Sequence, residues 1–464
     1  MEQILRIIKK LIPTKIFGLA QPLYHFCLAY FGALIYSFPS RLHRACLTGR
    51  QACLTGRQGF GGQAKKMYVV GVTGTKGKST TSYLIAQILN SAGIKTGMAT
   101  TVLFKIGEKE WINSSKQTML GRFQLQRLLA KMAKEDCKYA VVETSSEGIL
   151  QYRHTFIDYD AAVFTNLSPE HIERHGSFEN YRDAKVRLFK KVAGKENGVG
   201  VYNLDDANIG YFLKPKIPNQ YVFTSSFKMS GGSVGNLYQI AKIKSSPNGA
   251  SFALNGEEIK MPLIGKFNVY NATAAICFVL SQGVELSEIK KAMAQIKPPP
   301  GRLELVKANG FNVVVDYAHE PASLEAVYKA VIESKIKSSK GKMICLFGSQ
   351  GGGRDKWKRQ AMGRIAAEYC DKIVLTNEDP YDESPIEIIN QVSEGIIVTG
   401  EKSNKLVVYK IIDRKEAIKK AISLAEKGDA VVLTGKGGEV WMCVENNKKI
   451  PWDERKIVEE SLGN

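Results

Sequence analysis

Short apolar runs that end in glycine or polar residues recur along most of the chain. The run "MYVVGVTG" is rich in β-branched residues, and after its glycines comes a segment with helical spacing, at Leu84, Ile85, Ile88 and Leu89. Similar runs end in "DYAH", "GSQGGG", "TNEDP" and "TGKGG". Such runs are typical of buried parallel strands, and the helical segments between them indicate strand–loop–helix units. The pattern predicts a central α/β domain and a carboxy-terminal Rossmann-like, doubly wound α/β domain.

The first part of the chain has a different pattern and predicts an apolar helical segment. Residues 16–40 contain no charged side chain, and Lys15 and Arg41 flank them. A run of this length can span a bilayer, but Gln21 and Pro22 interrupt it. Three alternatives are open: a helix pair at the membrane surface, a weak transmembrane span, or a helix buried against the protein. The basic flanks and tyrosines favour peripheral association through residues 16–40, at the inner face of the plasma membrane.

A tandem repeat follows the apolar segment. Residues 45–51 and 52–58 are identical heptapeptides, "ACLTGRQ". They have no apolar periodicity, and repeat folds need larger units in greater number. We predict a flexible insertion over 45–66 that carries no chemistry.

The composition is that of a soluble globular protein with two or three domains: 464 residues, 44% hydrophobic and 24% charged. The net charge of +20 favours anionic partners such as nucleotides, anionic lipid or phosphorylated sugars. The basic residues are scattered and no nucleic-acid module is visible, so nucleic acid is not expected as a partner. The eight cysteines form no C-x-x-C pair. We therefore expect no zinc or redox motif and no disulfide framework, in a reducing cytosol.

A glycine- and lysine-rich loop follows the first predicted strand. Strand, glycine loop and helix form the context in which backbone N–H groups hold phosphates. The spacing differs from the common G-x-x-x-x-G-K-[ST], since Val72 stands at the first glycine position. Lys78 would reach the β- and γ-phosphates, and the Ser79 hydroxyl would bind Mg²⁺. The candidate nucleotide-binding residues of the loop are Gly74, Thr75, Lys76, Gly77, Lys78, Ser79 and Thr80.

The spacing G-T-x-G-K-[ST]-T resembles the phosphate loop of the Mur ligase superfamily, ATP-dependent enzymes that join a carboxylate to an amine. The segment "VVETSSEGILQYR" (141–153) is similar to the family's E-x-S-S-H-A-L segment, with Glu147 in place of the usual histidine. The resemblance implies that Glu143 is a magnesium ligand. It also implies that Thr118, Ser145 and Arg153 hold the nucleotide-sugar peptide substrate.

The next segment, 161–189, is similar to the family's F-T-N-L-x-x-D-H-L-D-x-H-G segment. The resemblance implies that His171 binds a second magnesium ion and that Lys185 is carried as a carbamate. An ammonium would be repelled by two magnesium ions, whereas a carbamate is an anion that can orient their ligands. We expect Lys78, His171 and Lys185 to be catalytic, with ATP and two Mg²⁺ ions as cofactors.

Two later segments complete the nucleotide site that the resemblance implies. The helix motif in "IGKFNVYNATAA" places Asn268 and Asn271 on the adenine side. A proline-rich stretch, "KPPPGR", marks a domain boundary, and Arg302 in it would reach the ATP phosphates. The motif "DYAHEPAS" assigns Asp316 to the ribose hydroxyls and His319 to the neighbourhood of the γ-phosphate.

The carboxy-terminal loops most resemble those Mur ligases that add the third peptide residue. In "GGGRDKWKR", Arg354 would bind the α-carboxylate of the incoming amino acid. In "GKGGE", Gly435 and Glu439 would hold its amino end. Residues 378–381 read E-D-P-Y, where enzymes that add diaminopimelate have D-N-P-R. The acidic loop around Asp379 favours a lysine-like amino acid, and diaminopimelate stays open.

Four parts of the chain are predicted: an apolar segment at 1–44, the insertion at 45–66, a central ATP-binding domain at 67–300 and an amino-acid-binding domain at 301–464. Such ligases usually begin with a uridine-binding domain, which we expect to be missing. The acceptor is therefore open between a UDP-linked and a lipid-linked muramoyl peptide. We expect a cytoplasmic monomer that also binds a free amino acid.

The resemblance implies an ADP-forming amide ligase that works through an acyl phosphate in peptidoglycan synthesis. A folylpolyglutamate- or cyanophycin-type ligase is the alternative within the superfamily, but "VDYAHEPASLE" and "GKGGE" favour the peptide ligase. A membrane-associated P-loop ATPase without ligation is an alternative from another class. A pseudoenzyme is a third, and the intact Lys78, Ser79, Glu143, His171 and Lys185 argue against it.

Overall fold

The computed structural model describes residues 14–36, 67–115, 117–170, 172–226, 235–353, 355–396 and 406–463. The predicted insertion at 45–66, His171 and Arg354 lie outside the described residues. Contacts divide the chain into two compact units, Met1–Tyr238 with Ala274–Glu285, and Gln239–Thr273 with Leu286–Asn464. The domain boundaries expected from the sequence stay a prediction.

The described residues of the first unit form one sheet with helices around it. The strands are β1 (Tyr68–Thr73), β2 (Thr96–Ala99), β3 (Leu103–Ile106), β4 (Lys109–Ile112), β5 (Tyr139–Glu143), β6 (Ala161–Phe164), β7 (Val199–Asn203) and β8 (Asn219–Thr224). The helices are α1 (Thr14–Ile35), α2 (Lys78–Ser91), α3 (Arg122–Lys134), α4 (Ser146–Leu150), α5 (Ile172–His175), α6 (Phe178–Ala193) and α7 (Ile209–Leu213).

The strand order β8-β7-β6-β1-β5-β2-β3-β4 places β1 between β5 and β6. These three strands are parallel, so the loops at their carboxyl ends meet at one edge of the sheet. The strand β1 is buried from Val69 to its end, as its β-branched sequence predicts. Its Gly71 leaves room for α6, since a Cβ there would lie 2.8 Å from the Leu188 side chain.

The helix α6 has local signals at both ends. The Ser177 hydroxyl caps it by accepting the Asn180 backbone N–H over 3.1 Å. Glu179 lies in its first turn and Lys190 and Lys191 in its last, which complements the helix dipole. Its apolar face packs into the core of the unit, so the position of Lys185 on that face buries an amine.

The amino-terminal helix α1 packs against α3. Its residue Gly32 lies close to the backbone of α3, since a Cβ there would be 3.3 Å from the Phe123 Cα. His25 is hydrogen-bonded to Arg122, and the rings of Phe26 and Phe156 lie 5.4 Å apart. Among the described helices, none has the length and apolar character needed to cross a bilayer.

The remaining described elements belong mainly to the second unit. The strands are β9 (Asn236–Ser246), β10 (Gly249–Leu254), β11 (Glu257–Met261), β12 (Glu304–Lys307), β13 (Asn312–Val315), β14 (Met343–Phe347), β15 (Lys372–Thr376), β16 (Val407–Ile411), β17 (Ala430–Leu433), β18 (Trp441–Val444) and β19 (Lys448–Pro451). The helices are α8 (Lys266–Ser281), α9 (Leu286–Gln295), α10 (Pro321–Glu333), α11 (Trp357–Tyr369), α12 (Pro385–Ser393), α13 (Arg414–Ser423) and α14 (Glu454–Leu462).

The main sheet of the second unit has the order β12-β13-β17-β14-β15-β16 and is parallel except for β12. Alternate residues of β13 face opposite sides: Val314 packs with α10, α11 and α12, whereas Val313 and Val315 pack with α13 and α14. Helices therefore cover both faces, as predicted for a doubly wound domain.

One disulfide bond corrects the expectation from the cysteine spacing. Cys345 in β14 is bonded to Cys370, which follows α11, with the Cα atoms 6.0 Å apart. The two cysteines are 25 residues apart in sequence and form no short motif. They meet because β14 and β15 are neighbouring strands and Cys370 lies just before β15. Among the described cysteines, the other four are free thiols.

Close packing of α11 on α12 generates the first prediction. In α11, a Cβ on Gly363 would lie 2.2 Å from the backbone carbonyl oxygen of Val392. A backbone atom cannot rotate away, so Gly363→Ala should force the helices apart and lower the free energy of unfolding by about 1–3 kcal/mol. Calorimetric unfolding of the purified protein measures this loss.

The control for that variant is Gly210→Ala in α7, where a Cβ would meet nothing within 4 Å. This variant should keep the unfolding midpoint of the parent chain. Equal midpoints for the two variants would contradict the packing argument.

Candidate active site

The phosphate loop lies between β1 and α2. At the start of α2, Gly77 has a φ of 80°, a left-handed backbone conformation that favours glycine. The Thr75 hydroxyl is hydrogen-bonded to the Tyr181 hydroxyl over 2.9 Å. The Lys78 ammonium donates to the Thr75 carbonyl over 2.8 Å, so it folds back onto the loop. The predicted loop residues are thus collected at the carboxyl end of β1.

Oxygen atoms from two segments meet beside this loop. The Ser79 hydroxyl donates to Oε2 of Glu143, the last residue of β5, over 2.8 Å. The same carboxylate oxygen accepts the Thr101 backbone N–H over 2.7 Å. A hydroxyl and a carboxylate this close are hard oxygen ligands of the kind that Mg²⁺ prefers. The structure therefore brings the two described metal candidates together.

Lys185 is buried beneath the phosphate loop. Its side chain is 1% exposed, and Nζ donates to the Gly74 carbonyl over 2.7 Å. Burial, and next the positive charge of Lys78, lower the pKa of Lys185 well below its ordinary value. A neutral amine is a nucleophile, whereas an ammonium is not. The surroundings of Lys185 therefore suit chemistry at nitrogen.

The segment after β6 completes this cluster with residues that the sequence analysis did not select. The Asn166 side-chain oxygen accepts the Lys76 backbone N–H over 2.9 Å. Glu170 forms a 2.8 Å ion pair with the Lys76 ammonium. The signal that could have found them is their place directly after a buried strand at the same sheet edge. His171 follows Glu170 and lies outside the described residues.

The three candidate substrate residues lie on neighbouring loops of the first unit. The Ser145 hydroxyl caps α4 by accepting a backbone N–H over 3.1 Å. The Arg153 guanidinium donates to the Gln151 side chain over 2.6 Å and to the Met119 carbonyl. Since Met119 follows Thr118 in sequence, Arg153 and Thr118 belong to one local surface.

The adenine-side candidates lie one turn apart on α8. Both are buried, and the Asn271 amide donates to the Asn268 side-chain oxygen over 3.0 Å. The Asn268 amide donates to the Ile264 carbonyl over 2.8 Å. These bonds orient the two side chains, so cap-like and ligand-binding roles are both compatible with their positions.

Tyr317, which follows β13, is contacted by Arg302 and by His319. Arg302 lies before β12, and His319 lies two residues after Tyr317. The Arg302 guanidinium lies 4.5 Å from the centre of the Tyr317 ring. Its buried Nε has no hydrogen-bond partner among the described residues. His319 Nδ1 is 2.8 Å from the Tyr317 carbonyl oxygen. A buried donor without an acceptor fits the prediction that Arg302 binds an anion.

Asp316 is engaged by the backbone around it. Its two carboxylate oxygens accept the N–H groups of Leu303 and Ala318, each over 2.7 Å. Burial raises the pKa of Asp316, although the nearby Arg302 acts in the opposite direction. The carboxylate therefore fastens the turn that carries Arg302, besides the ribose role that the resemblance implies.

A buried ion cluster joins the candidate amino-acid loops that follow β15 and β17. The Lys436 ammonium donates to Asp379 over 2.9 Å, to Glu439 over 2.6 Å and to the Trp441 carbonyl over 2.7 Å. Asp379 also accepts the Cys443 backbone N–H over 2.7 Å. The charge of Asp379 is thus balanced inside the protein.

Other acids of the same loop are paired as well. Glu383 accepts the buried Arg359 guanidinium over 2.9 Å. Asp382 accepts the Asn446 backbone N–H over 2.8 Å. The open acidic loop that favoured a lysine-like amino acid is therefore largely compensated within the fold. The sequence could not show this, because the partners lie on other segments.

Glu378 differs from its acidic neighbours in its hydrogen bonding. The residue is 0% exposed, and neither carboxylate oxygen has a hydrogen-bond partner among the described residues. Burial raises the pKa of Glu378 to about 7, although Lys358 acts in the opposite direction. Gly435 lies against it, since a Cβ there would be 2.5 Å from Oε2. A buried carboxyl without partners marks Glu378 as a ligand-binding candidate.

Arg414 joins the first residues of the two loops that follow β15 and β17. Its guanidinium donates to the Asn377 carbonyl over 3.1 Å and to the Thr434 carbonyl over 2.8 Å. Glu454 of α14 binds the same guanidinium over 2.5 Å and accepts the Trp452 indole N–H over 2.7 Å. The sequence analysis missed Arg414. A cation in the first turn of a helix is unfavourable by itself, and this could have indicated a specific partner.

Comparison with known proteins identifies the family. Residues 72–279 match the Mur ligase middle domain, and residues 301–437 match the Mur ligase, glutamate ligase domain. A relative from Syntrophomonas wolfei, named UDP-N-acetylmuramoyl-L-alanyl-D-glutamate--2,6-diaminopimelate ligase, is 36% identical over 408 residues, which cover 87% of this chain and 80% of the relative. The chain belongs to the Mur ligase family.

Further relatives agree with this assignment. A UDP-N-acetylmuramyl-tripeptide synthetase from Roseiflexus sp. is 34% identical over 87% of this Mur ligase and 80% of the relative. A solved UDP-N-acetylmuramoyl-L-alanyl-D-glutamate--2,6-diaminopimelate ligase has a TM-score of 0.59 at 31% identity, covering 86% of this chain and 78% of that one. The resemblance and the α/β fold with Mur ligase central and carboxy-terminal domains are confirmed.

The superfamily alternative has a structural counterpart. A folylpolyglutamate synthase from Mycobacterium tuberculosis has a TM-score of 0.63 at 16% identity, covering 86% of this chain and 92% of that one. At this identity the likeness shows the fold alone.

The buried carboxyl of this Mur ligase predicts a pH-dependent stability. The ordinary pKa of glutamic acid is 4.5 and that of folded Glu378 is about 7, so between these values the folded state binds the extra proton. The stabilisation is complete below pH 4.5 and is lost as the pH rises through 7. Glu378→Gln stays neutral, so its stability relative to the parent should increase from pH 5 to pH 8, by on the order of 3 kcal/mol.

Thermal unfolding of both proteins at several pH values measures this difference. The control is Glu387→Gln on the exposed face of α12. The free energy of unfolding of this variant should not increase with pH relative to the parent. A constant or shrinking difference for Glu378→Gln would show that the carboxyl is already ionised near neutral pH.

The Arg414 contacts predict coupled protection of the two loops. Arg414→Lys keeps the charge but cannot reach both carbonyls and Glu454 at once. Hydrogen exchange should therefore increase in peptides 377–383 and 434–443 together, by about tenfold or more. The matched control is Arg455→Lys, at a half-exposed arginine that pairs with Glu459. Faster exchange in one loop only would contradict the shared role.

Proposed function

We propose that this Mur ligase forms an amide between the terminal carboxylate of a UDP-muramoyl dipeptide and a free amino acid, with cleavage of ATP to ADP and phosphate. The observation that carries the proposal is the buried Lys185 amine against the Gly74 carbonyl of the phosphate loop. A plain nucleotide switch has no need of a buried amine at this place. The named relatives act on UDP-muramoyl peptides, which supports the acceptor.

The residues present fit ATP and magnesium. The loop supplies backbone N–H groups and the Lys78 ammonium for the phosphates, and the buried Arg302 Nε, which has no hydrogen-bond partner in the described part of the chain, can bind an anion. Ser79 and Glu143 would hold one magnesium ion, and His171 is proposed for a second. Bound magnesium neutralises charge on the phosphate oxygens during phosphoryl transfer.

Lys185 is proposed to act as a carbamate. Its neutral amine attacks carbon dioxide, a nitrogen–carbon bond forms, and one proton is released. The product is an anion in place of a buried cation, which suits a site that binds metal ions. The low pKa of the amine supports this step, because only the neutral form reacts.

The amide then forms in two displacements. The substrate carboxylate attacks the γ-phosphorus of ATP, and ADP leaves an acyl phosphate behind. The amine of the amino acid attacks the acyl carbon, a proton is lost from nitrogen, and phosphate leaves. Lys78 disperses negative charge in the first displacement, since phosphoryl transfer depends chiefly on positioning and electrostatics.

Diaminopimelate is proposed as the amino acid. Asp379 and Glu383 are already paired with Lys436 and Arg359, so the acidic loop no longer favours a lysine-like side chain. Glu378 and Glu439 are proposed to receive the reacting amino end. The diaminopimelate ligases among the relatives support this choice, and lysine becomes an outcome of the test.

Peripheral membrane association and a monomeric state are also proposed. Residues 16–40 are free of charge and have basic flanks, as peripheral membrane segments often do. The enzyme would then act at the cytoplasmic face of the membrane.

The test is phosphate release with ATP, Mg²⁺ and UDP-muramoyl dipeptide, with diaminopimelate, lysine or no amino acid. Release should require both acceptor and diaminopimelate. Lys185→Ala should lower the rate by about a hundredfold or more, because the anion is lost. The control is Lys190→Ala at the exposed face of the same helix, which should keep the rate.

Each alternative has its own outcome. Equal phosphate release without any amino acid would favour the P-loop ATPase. Turnover with tetrahydrofolate and glutamate instead would favour the folylpolyglutamate type. Native mass spectrometry of the intact protein should show one added carbon dioxide that the Lys185→Ala variant lacks.

A further inference from the structure

The amino-terminal helix α1 has its small residues inside and its large apolar residues outside. Ala29, Gly32 and Ala33 are buried. Four large apolar side chains expose between 49% and 68% of their surface, namely Leu23, Phe31, Leu34 and Ile35. These four are called the α1 outer face. The rings of Phe26 and Tyr30 instead pack on Phe156. An ordinary surface helix has the reverse arrangement, with polar residues toward water.

The arrangement follows from spacing along the helix. Phe31 lies eight residues after Leu23, and Leu34 and Ile35 follow Phe31 by three and four residues, so the four side chains lie on one side of the helix. Small residues on the opposite side allow close approach to α3, since a Cβ on Gly32 would be 3.3 Å from the Phe123 Cα. The small residues therefore hold the helix to the protein, and the α1 outer face is exposed.

The charges of this part of the sequence and of α3 indicate the chemistry of the surface that the α1 outer face contacts. The first 66 residues contain ten lysines and arginines and one acidic residue, Glu2. The neighbouring helix α3 has no acidic residue and exposes Arg127, Lys131 and Lys134. An apolar face beside the exposed cations of α3, on a chain whose flanking sequence is basic, is complementary to the interface of an anionic bilayer, where acyl chains lie beneath negative headgroups.

We infer that the α1 outer face docks on the surface of an anionic lipid bilayer, with the helix lying in the interface rather than across it. This inference rests on the proposed peripheral association and specifies its contact face and lipid chemistry. A second copy of the chain is the competing occupant, and its signature is part of the test.

The experiment uses the full chain and two kinds of vesicle, phosphatidylcholine alone and phosphatidylcholine with phosphatidylglycerol. The protein should sediment with the anionic vesicles and be released as salt is raised. The double variant Phe31→Ser, Leu34→Ser should weaken binding by about tenfold or more, since two large apolar contacts are lost. The matched control is Ile332→Ser on α10, an apolar residue of similar exposure, which should leave binding unchanged.

Three results would overturn the inference: no binding to anionic vesicles, equal binding of the double variant, or a concentration-dependent dimer that the double variant abolishes. The amide-forming assay on soluble substrate separates this failure from failure of the proposed function. The double variant should keep the parent rate and unfolding midpoint, because Phe31 and Leu34 are exposed and neither is a candidate site residue. Vesicle binding without any amide formation would contradict the proposed amide-forming function and leave the inference intact.

Discussion

The burial of the Lys185 amine under the phosphate loop is the constraint on which the first cluster depends. The helix α6 must lie directly on β1, and Gly71 allows this because any side chain there would meet Leu188 at 2.8 Å. The close approach leaves the amine only the Gly74 carbonyl, over 2.7 Å, as a described hydrogen-bond acceptor. An ammonium in that position is costly, so the pKa falls and the neutral form is favoured. Core packing elsewhere on α6 offsets the cost.

The second unit uses the opposite strategy, in which buried charges are paired. Lys436 balances Asp379 and Glu439, and Arg414 with Glu454 joins the bases of two loops. Paired charges with full hydrogen bonding are tolerated in a core, whereas a single unpaired one is expensive. Against that background, the Glu378 carboxyl and the Arg302 Nε stand out, because neither has a described hydrogen-bond partner. Unsatisfied groups of this kind concentrate where ligands bind.

The helix α1 shows how one segment can satisfy two surfaces. Close contact with α3 requires small residues, and Ala29, Gly32 and Ala33 provide them. Leu23, Phe31, Leu34 and Ile35 are then turned outward, where water makes their exposure unfavourable. The net charge of +20 opposes association between copies of the chain through such a face.

The sequence by itself determined the α/β class, the phosphate loop and the family, because short-range periodicity and contiguous motifs carry that information. Residues 74–80 and Glu143 are each placed by the strand that directly precedes or contains them. The tertiary structure alone decided which charged side chains are paired. The sequence predicts an exposed carboxylate at Asp379, but Lys436, 57 residues later, forms an ion pair with it. In the same way Cys370 reaches Cys345, and Arg414 reaches Asn377 and Thr434. Pairing, burial and the outward face of α1 arise from contacts between distant segments, and a linear pattern contains no distance between such segments.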